Sequence, residues 1–365
     1  MIDNIKELQQ KKLESDIKTI VNRLLKELPV APEAIFLCGG YGRGEGAWYV
    51  NEKGEISPYN DYDVLIITEK PLPSAETNVI RKELAKEIGI NWVDIDYYTR
   101  AKLAKLKTTI NNVDLIYGST CIYGNEKVLE VCPKLDSSKI GLFDVLFLYQ
   151  TRIWTFLGAW EGDFHDLDAQ QSIFFKNQMA KATLSVCDLI LIKNHSYHTS
   201  YRKRADLVCE IKKDDSILCN RVRWAIAEKL HPTQTLLSKD EMKQLYYEVK
   251  DLFLKALSDA LGRHWNSFEN PSRTKCWFYT HTKQLIIEMY ILLRYQNRNA
   301  MRALDIFIAQ TYVFLADDHG SIKEDYLNKA KEILKKWGYI TRTDYDWNVL
   351  HKLVAEARNN IKVVE

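Results

Sequence analysis

Apolar side chains fall at Ile5, Leu8, Leu13, Ile17, Ile20, Val21, Leu24 and Leu28, a helical spacing that leaves one polar face across residues 3–28. Pro29 and Pro32 push the following chain into an extended path and end that helix. Residues 34–38 (Ala-Ile-Phe-Leu-Cys) form a short apolar run that stops at Gly39, as a buried strand does. A second strand is expected over 62–68, closed by Pro71 and Pro73. A helix over 76–88, a strand over 91–98 and a helix over 100–110 should follow, then two short edge elements at 114–119 and 121–124.

From residue 142 the pattern becomes helical throughout. Helices are expected at 142–160, 170–194, 200–211, 217–230, 239–262, 273–296, 299–316, 323–337 and 346–361, punctuated by Pro232, Asn270-Pro271 and Gly320. The expected fold class is therefore α+β. A small mixed-sheet domain spans residues 1–139 with its N-terminal helix, and an all-helical domain spans 140–365.

Composition narrows the function classes. Lys and Arg number 51 against 49 for Asp and Glu, a net charge of +2, without the basic excess that extended nucleic-acid binding requires. The seven cysteines are scattered with no CxxC pair, which fits reduced thiols and not a disulfide or zinc framework. The N-terminus lacks the apolar core of a signal peptide, and no run approaches the length of a membrane span. A cytoplasmic protein with no membrane partner is expected.

The candidate chemistry sits at the ends of the first strands. Five glycines fall within Gly39-Gly40-Tyr41-Gly42-Arg43-Gly44-Glu45-Gly46, where the backbone can turn sharply and approach a ligand. A helix starting there would aim free N–H groups at phosphate. This turn is not a P-loop, because Glu45 and not Lys follows Gly44, and the GxGxxG fingerprint fits in no register. In Asn60-Asp61-Tyr62-Asp63, alternation along a strand puts Asp61 and Asp63 on one face. Two adjacent carboxylates repel unless a cation lies between them, and oxygen-only ligands suit Mg²⁺ or Mn²⁺. Asp94 and Asp96 repeat the spacing on the later strand, and either could be a third carboxylate; Asp94 is preferred.

A strand, a Gly-Gly turn, Asp-x-Asp on the next strand and a further Asp on a third resemble the DNA-polymerase-β-like nucleotidyltransferase superfamily. Residues 39–45 with 60–63 are similar to the catalytic segment of PII uridylyltransferases and to bacterial small-molecule nucleotidyltransferases. The similarity is strong over 34–68 and looser to about residue 210. About 20 residues separate Gly40 from Asp61, longer than the superfamily's usual spacing, and a surface hairpin around 51–55 would absorb the excess. The hydrolase and ligand-sensing domains of PII-modifying enzymes are absent from the sequence.

The resemblance implies transfer of a nucleoside monophosphate from an NTP, ATP being the first choice, to an acceptor hydroxyl with release of pyrophosphate. Asp61, Asp63 and Asp94 would be the metal ligands, with Asp96 the other candidate among the catalytic carboxylates. Gly39, Gly40, Tyr41, Arg43 and Glu45 would meet the nucleotide, although Arg43 and Glu45 could equally pair with each other. From the helical part, Lys181 first, then Lys176, Arg152 and Tyr201, would supply charge and contacts to the triphosphate. A small-molecule acceptor is expected from the near-neutral charge. Protein or RNA acceptors, as in toxin–antitoxin or nucleotide-signalling systems, and a catalytically inactive nucleotide sensor are the alternatives. His195 and His198 read as a loop pair, and Trp154, Trp160, Trp224 and Trp277 as packing residues.

Overall fold

The structure, a computed structural model, describes residues 2–50, 55–158, 167–261, 298–342 and 344–359. The expected helix at 273–296, Trp160 and Trp277 lie outside the described residues. What is described is mixed α+β, with a small mixed sheet early in the chain and helices after it. No helix among the described residues is long and apolar enough to cross a membrane.

Helix α1 (Ile2–Glu27) leads to strand β1 (Ala34–Leu37), a helical turn α2 (Gly39–Gly42), and strands β2 (Trp48–Val50), β3 (Ile56–Pro58) and β4 (Tyr62–Thr68). Then come α3 (Ser74–Ile88), β5 (Val93–Thr99), α4 (Arg100–Leu103), α5 (Ile110–Tyr117) and β6 (Thr120–Gly124). One four-stranded sheet has the order β5-β4-β1-β6. β1 pairs antiparallel with β4 and β6, whereas β4 and β5 run parallel, joined through α3. β2 and β3 form a separate antiparallel ribbon whose arms flank residues 51–54.

Alternation along the strands builds two cores. Ile35, Leu37, Tyr62, Val64, Ile66, Val93 and Ile95 pack under Ile20 and Leu24 of α1 and Ile80, Leu84 and Ile88 of α3. Each such aliphatic side chain is worth about 1.5–3 kcal/mol on full burial. Phe36, Cys38, Leu65, Ile67 and Tyr98 face the other way, onto Leu103 and Val128.

Two expectations near residue 110 are corrected. The helix at 100–110 stops at Leu103, and 114–119 is not an edge element, because 110–117 is helical. Thr109 accepts from Asn112 N at 3.1 Å and caps a new helix there, and Gly118 N closes it on Asp114 O at 2.9 Å. A short apolar run of three residues, Leu115–Tyr117, does not distinguish strand from helix by periodicity; the cap decides.

The later helices are α6 (Leu142–Gly158), α7 (Ala169–Lys193), α8 (Tyr201–Ile211), α9 (Ser216–Leu230), α10 (Lys239–Leu261), α11 (Arg298–Ala316), α12 (Glu324–Lys336) and α13 (Trp347–Asn359). This part is not wholly helical: Asp317–Asp318 pairs with Ser321–Ile322 in a two-stranded ribbon. Its turn, His319-Gly320, has φ of 53° and 89°, the left-handed pair that a tight hairpin needs. Tyr247 OH donates to Asp317 Oδ1 at 3.0 Å and buried Lys250 donates to Asp317 Oδ2 at 3.2 Å, so the ribbon is fastened to α10.

The chain divides into two compact units that are not consecutive. Met1–Gly141, Asn194–Cys219 and Ile226–Thr233 form the first; Leu142–Lys193, Asn220–Ala225 and Gln234–Glu365 form the second. The sheet is thus accompanied in its own unit by α8 and by both ends of α9.

Candidate active site

The first unit gathers the glycine turn and the aspartates at one end of β1, β4 and β5. β1 hands the chain to α2 through Cys38, whose N–H donates to Asp63 O at 2.8 Å. Gly39 has φ +62°, and a β-carbon built on it would overlap the Asp63 carboxylate. A side chain is excluded here twice, by conformation and by space. Gly42 is excluded for a different reason: its β-carbon would strike the Leu37 carbonyl oxygen. The turn closes through Gly42 N to Cys38 O (3.0 Å) and Arg43 N to Gly39 O (3.3 Å). The N–H groups of Gly39, Gly40 and Tyr41 precede these bonds at the head of the turn.

Parallel register sets Asp63 against Asp94 and Leu65 against Asp96. Partners in register share a face, so Asp63 and Asp94 are side by side. Asp63 is half-buried; Asp61, just before the strand, and Asp94 and Asp96 are exposed. Burial first, then the negative charges of Asp94 and Asp61, push the Asp63 carboxyl up to about 6, against the opposing pull of Lys229 and Arg43. Asp96 acts elsewhere: with burial and Asp63 it raises the Cys38 thiol to about 12, which keeps that thiol protonated. It also adds to the upward shift of Tyr98, after burial. Asp94 lies 3.9 Å from Arg81 of α3.

Between the two aspartates of Asp-x-Asp, Tyr62 points to the opposite face. Its OH donates to Asp16 Oδ2 of α1 at 2.9 Å, and Lys12 pairs with Asp16 at 2.6 Å. This anchor sets which face β4 presents, since a one-residue slip would turn Asp63 into the core.

Two residues expected at the nucleotide are committed to the protein. Tyr41 is buried between Trp48 and Tyr62, donates to Ala47 O at 2.5 Å and accepts from Asn60 N at 3.4 Å. It ties the glycine turn to the residue preceding Asp61. Glu45 is buried and accepts from Ser200 Oγ at 2.7 Å, Tyr201 N at 2.8 Å and Arg202 N at 3.3 Å, capping α8. Arg43 faces Glu45 at 3.7 Å and Asp114 at 3.9 Å, with its side chain buried. The Tyr201 ring lies 4.8 Å from the Arg43 guanidinium and 5.0 Å from that of Arg204. Arg204 completes the cluster by donating to both Asp114 oxygens, at 3.0 and 2.9 Å.

The structure also supplies a cation that sequence reasoning missed. Lys229, near the end of α9, donates to Asn60 Oδ1 at 3.3 Å and acts on Asp63. No motif marks it, and 169 positions separate it from Asn60. Arg152, Lys176 and Lys181 belong to the second unit. Lys176 is buried on α7 and donates to Thr235 O at 2.8 Å, whereas Arg152 and Lys181 are partly exposed. His195 Nδ1 donates to Ser138 O at 2.8 Å, and His198 Nδ1 accepts from Ser200 N at 3.0 Å; they serve the loop before α8.

Among the described residues, no group of three or more His, Cys, Asp or Glu side chains is placed so that it could hold a metal ion. Asp61, Asp63 and Asp94 are oxygen donors, the type that hard divalent cations take. No protein-family model matches the chain, and no curated protein matches it in sequence.

Proposed function

We propose that this chain transfers a nucleoside monophosphate from an NTP, ATP first, to a hydroxyl of a small molecule and releases pyrophosphate. The observation that carries the reading is the Asp63 carboxylate, seated on Gly39 beside Asp94 and raised by burial, then by Asp94 and Asp61. Repelling carboxylates next to a glycine turn suit a reaction in which cationic charge and phosphate meet.

Asp61 and Asp63, with Asp94 as the third carboxylate, would hold Mg²⁺ or Mn²⁺, which supplies phosphate charge neutralisation and an acidified acceptor hydroxyl. The protein's own residues do the rest. N–H groups of Gly39 and Gly40 bind phosphate oxygens, and Asp94 takes the acceptor's proton as its oxygen bonds to the α-phosphorus. The bond from the α-phosphorus to the bridging oxygen breaks, and pyrophosphate leaves. Arg43 and Glu45 hold the turn to α8, and Tyr201 packs on that ion pair. Lys176, buried on α7 with its ammonium on Thr235 O, is not part of this reading.

The test is to incubate the full chain with Mg²⁺ and each α-labelled NTP, with and without a small-molecule extract. Label should move to an acceptor resistant to protease and nuclease, and Asp63→Ala should abolish the transfer. Tight NTP binding without transfer would sink this reading in favour of a nucleotide sensor. Protease- or nuclease-sensitive label would move the acceptor to protein or RNA.

A further inference from the structure

The N-terminus of α8 already holds an oxyanion, and that oxyanion is a side chain of the protein. Glu45 Oε1 accepts from Ser200 Oγ at 2.7 Å and Arg202 N at 3.3 Å, and Oε2 accepts from Tyr201 N at 2.8 Å. These donors open an 11-residue helix, where free N–H groups and the helix dipole favour negative charge. A fourth donor is left over. The Arg43 side chain is only 6% exposed, and its Nε lies 3.7 Å from Glu45 Oε2, too far for a hydrogen bond. That Nε is buried and has no hydrogen-bond partner among the described residues. Asp114, 3.9 Å from Arg43, already accepts from Arg204 at 3.0 and 2.9 Å and from Tyr197 OH at 2.9 Å. A buried donor left unbonded is destabilising, so the cradle has room for one more acceptor than Glu45 brings.

We infer that this cradle is a phosphate site whose resting occupant is Glu45, and that a phosphate group entering it releases the glycine turn from α8. A carboxylate is planar, and both Glu45 oxygens already serve α8. A phosphate presents more acceptor oxygens in a tetrahedral arrangement. It can keep Ser200 Oγ and the Tyr201 and Arg202 N–H groups and take Arg43 Nε as well. Glu45 is the part that moves. It follows Gly44, which has φ +69° and open space where a β-carbon would stand. Its own N–H donates to Gly40 O at 2.7 Å, so displacing Glu45 acts directly on the turn. Arg43, Glu45, Asp114 and α8 all belong to the sheet's own unit. The site stands whether or not the chain transfers nucleotides: its ligand is a phosphate, free or as the end group of a nucleotide.

The experiment titrates the full chain with inorganic phosphate and, separately, with AMP, by calorimetry at constant ionic strength with chelator present. Glu45→Ala vacates the cradle and should bind at least one of the two about tenfold or more tighter than the wild type, in which Glu45 competes. Glu45→Gln, which keeps the shape and removes the charge, should also bind tighter, and serves if the alanine disturbs the fold. Adding Arg43→Met to either variant should abolish the gain. In the wild type at about a hundredfold the Kd of Glu45→Ala, amide hydrogen exchange should quicken across residues 40–45 while Tyr201 and Arg202 stay protected. Tightening for phosphate alone marks a free ion as the ligand and tightening for AMP alone a nucleotide-borne group; either supports the inference. Equal affinity in the wild type and both Glu45 variants overturns it. So does a gain that survives loss of Arg43, which would mark an adventitious ion only, and so does unchanged exchange in the turn.

Discussion

The Asp63 carboxylate occupies the space that a β-carbon on residue 39 would fill, and Gly39 is held at φ +62° beneath it. Turn and carboxylate are therefore one construction: a side chain added at residue 39 must displace Asp63. Gly39→Ala adds both a steric overlap and an unfavourable left-handed conformation. It should cost about 2–4 kcal/mol in urea unfolding and remove most transfer activity. A variant with wild-type stability and activity would show that the Asp63 side chain readily gives way.

Asp63 also makes stability depend on pH in an unusual direction. Its carboxyl is raised from 3.8 to about 6 in the folded chain, chiefly by burial and then by Asp94 and Asp61. Between those values the folded state holds more protons than the unfolded state, so this group's contribution falls as pH rises through 4 to 6. Asp63→Asn should then raise the metal-free Tm at pH 8, by the equivalent of roughly 2–3 kcal/mol at most, with the gain vanishing near pH 4. Thermal scans of both proteins across that range, with chelator present, read the difference directly. A gain that persists undiminished at pH 4 would falsify the assignment.

The two carboxylates of β5 should separate in function. Asp94 is in register with Asp63, whereas Asp96 is opposite Leu65 and acts on Cys38 and Tyr98. Asp94→Asn should lower kcat on the order of 100-fold or more, and Asp96→Asn less than about tenfold. Single-turnover transfer of labelled nucleotide distinguishes the pair, and the reverse order would make Asp96 the third carboxylate.

Glu45 should behave as a stabilising residue that supports the turn. Its carboxylate caps α8 through three donors and faces buried Arg43. Glu45→Ala leaves that guanidinium short of a partner and should cost about 2–4 kcal/mol in urea, while Glu45→Gln, keeping the shape, should cost less. A nucleotide-contacting role predicts the opposite balance, with weakened NTP binding at nearly unchanged stability.

The sequence by itself determined most of the elements and the chemical alphabet of the site. Period-two and helical runs such as 34–38, 62–68 and 3–28 bury one face wherever the chain folds, so their identity is local. The five-glycine cluster and Asp-x-Asp were equally legible, because conformational freedom and alternation are properties of short segments. Helix α5 is not legible in the same way: the apolar run Leu115–Tyr117 has only three positions, too few to show a period, and the Thr109 cap decides it. Only the tertiary structure decided which charges meet. Glu45 and α8 are 155 positions apart and Lys229 and Asn60 are 169 apart, yet each pair is in hydrogen-bonding contact. Register across β4 and β5, not spacing along either strand, put Asp94 rather than Asp96 beside Asp63. Such pairings follow from packing of the whole unit, where desolvation and distance set each charge's effect, and no window of sequence contains them.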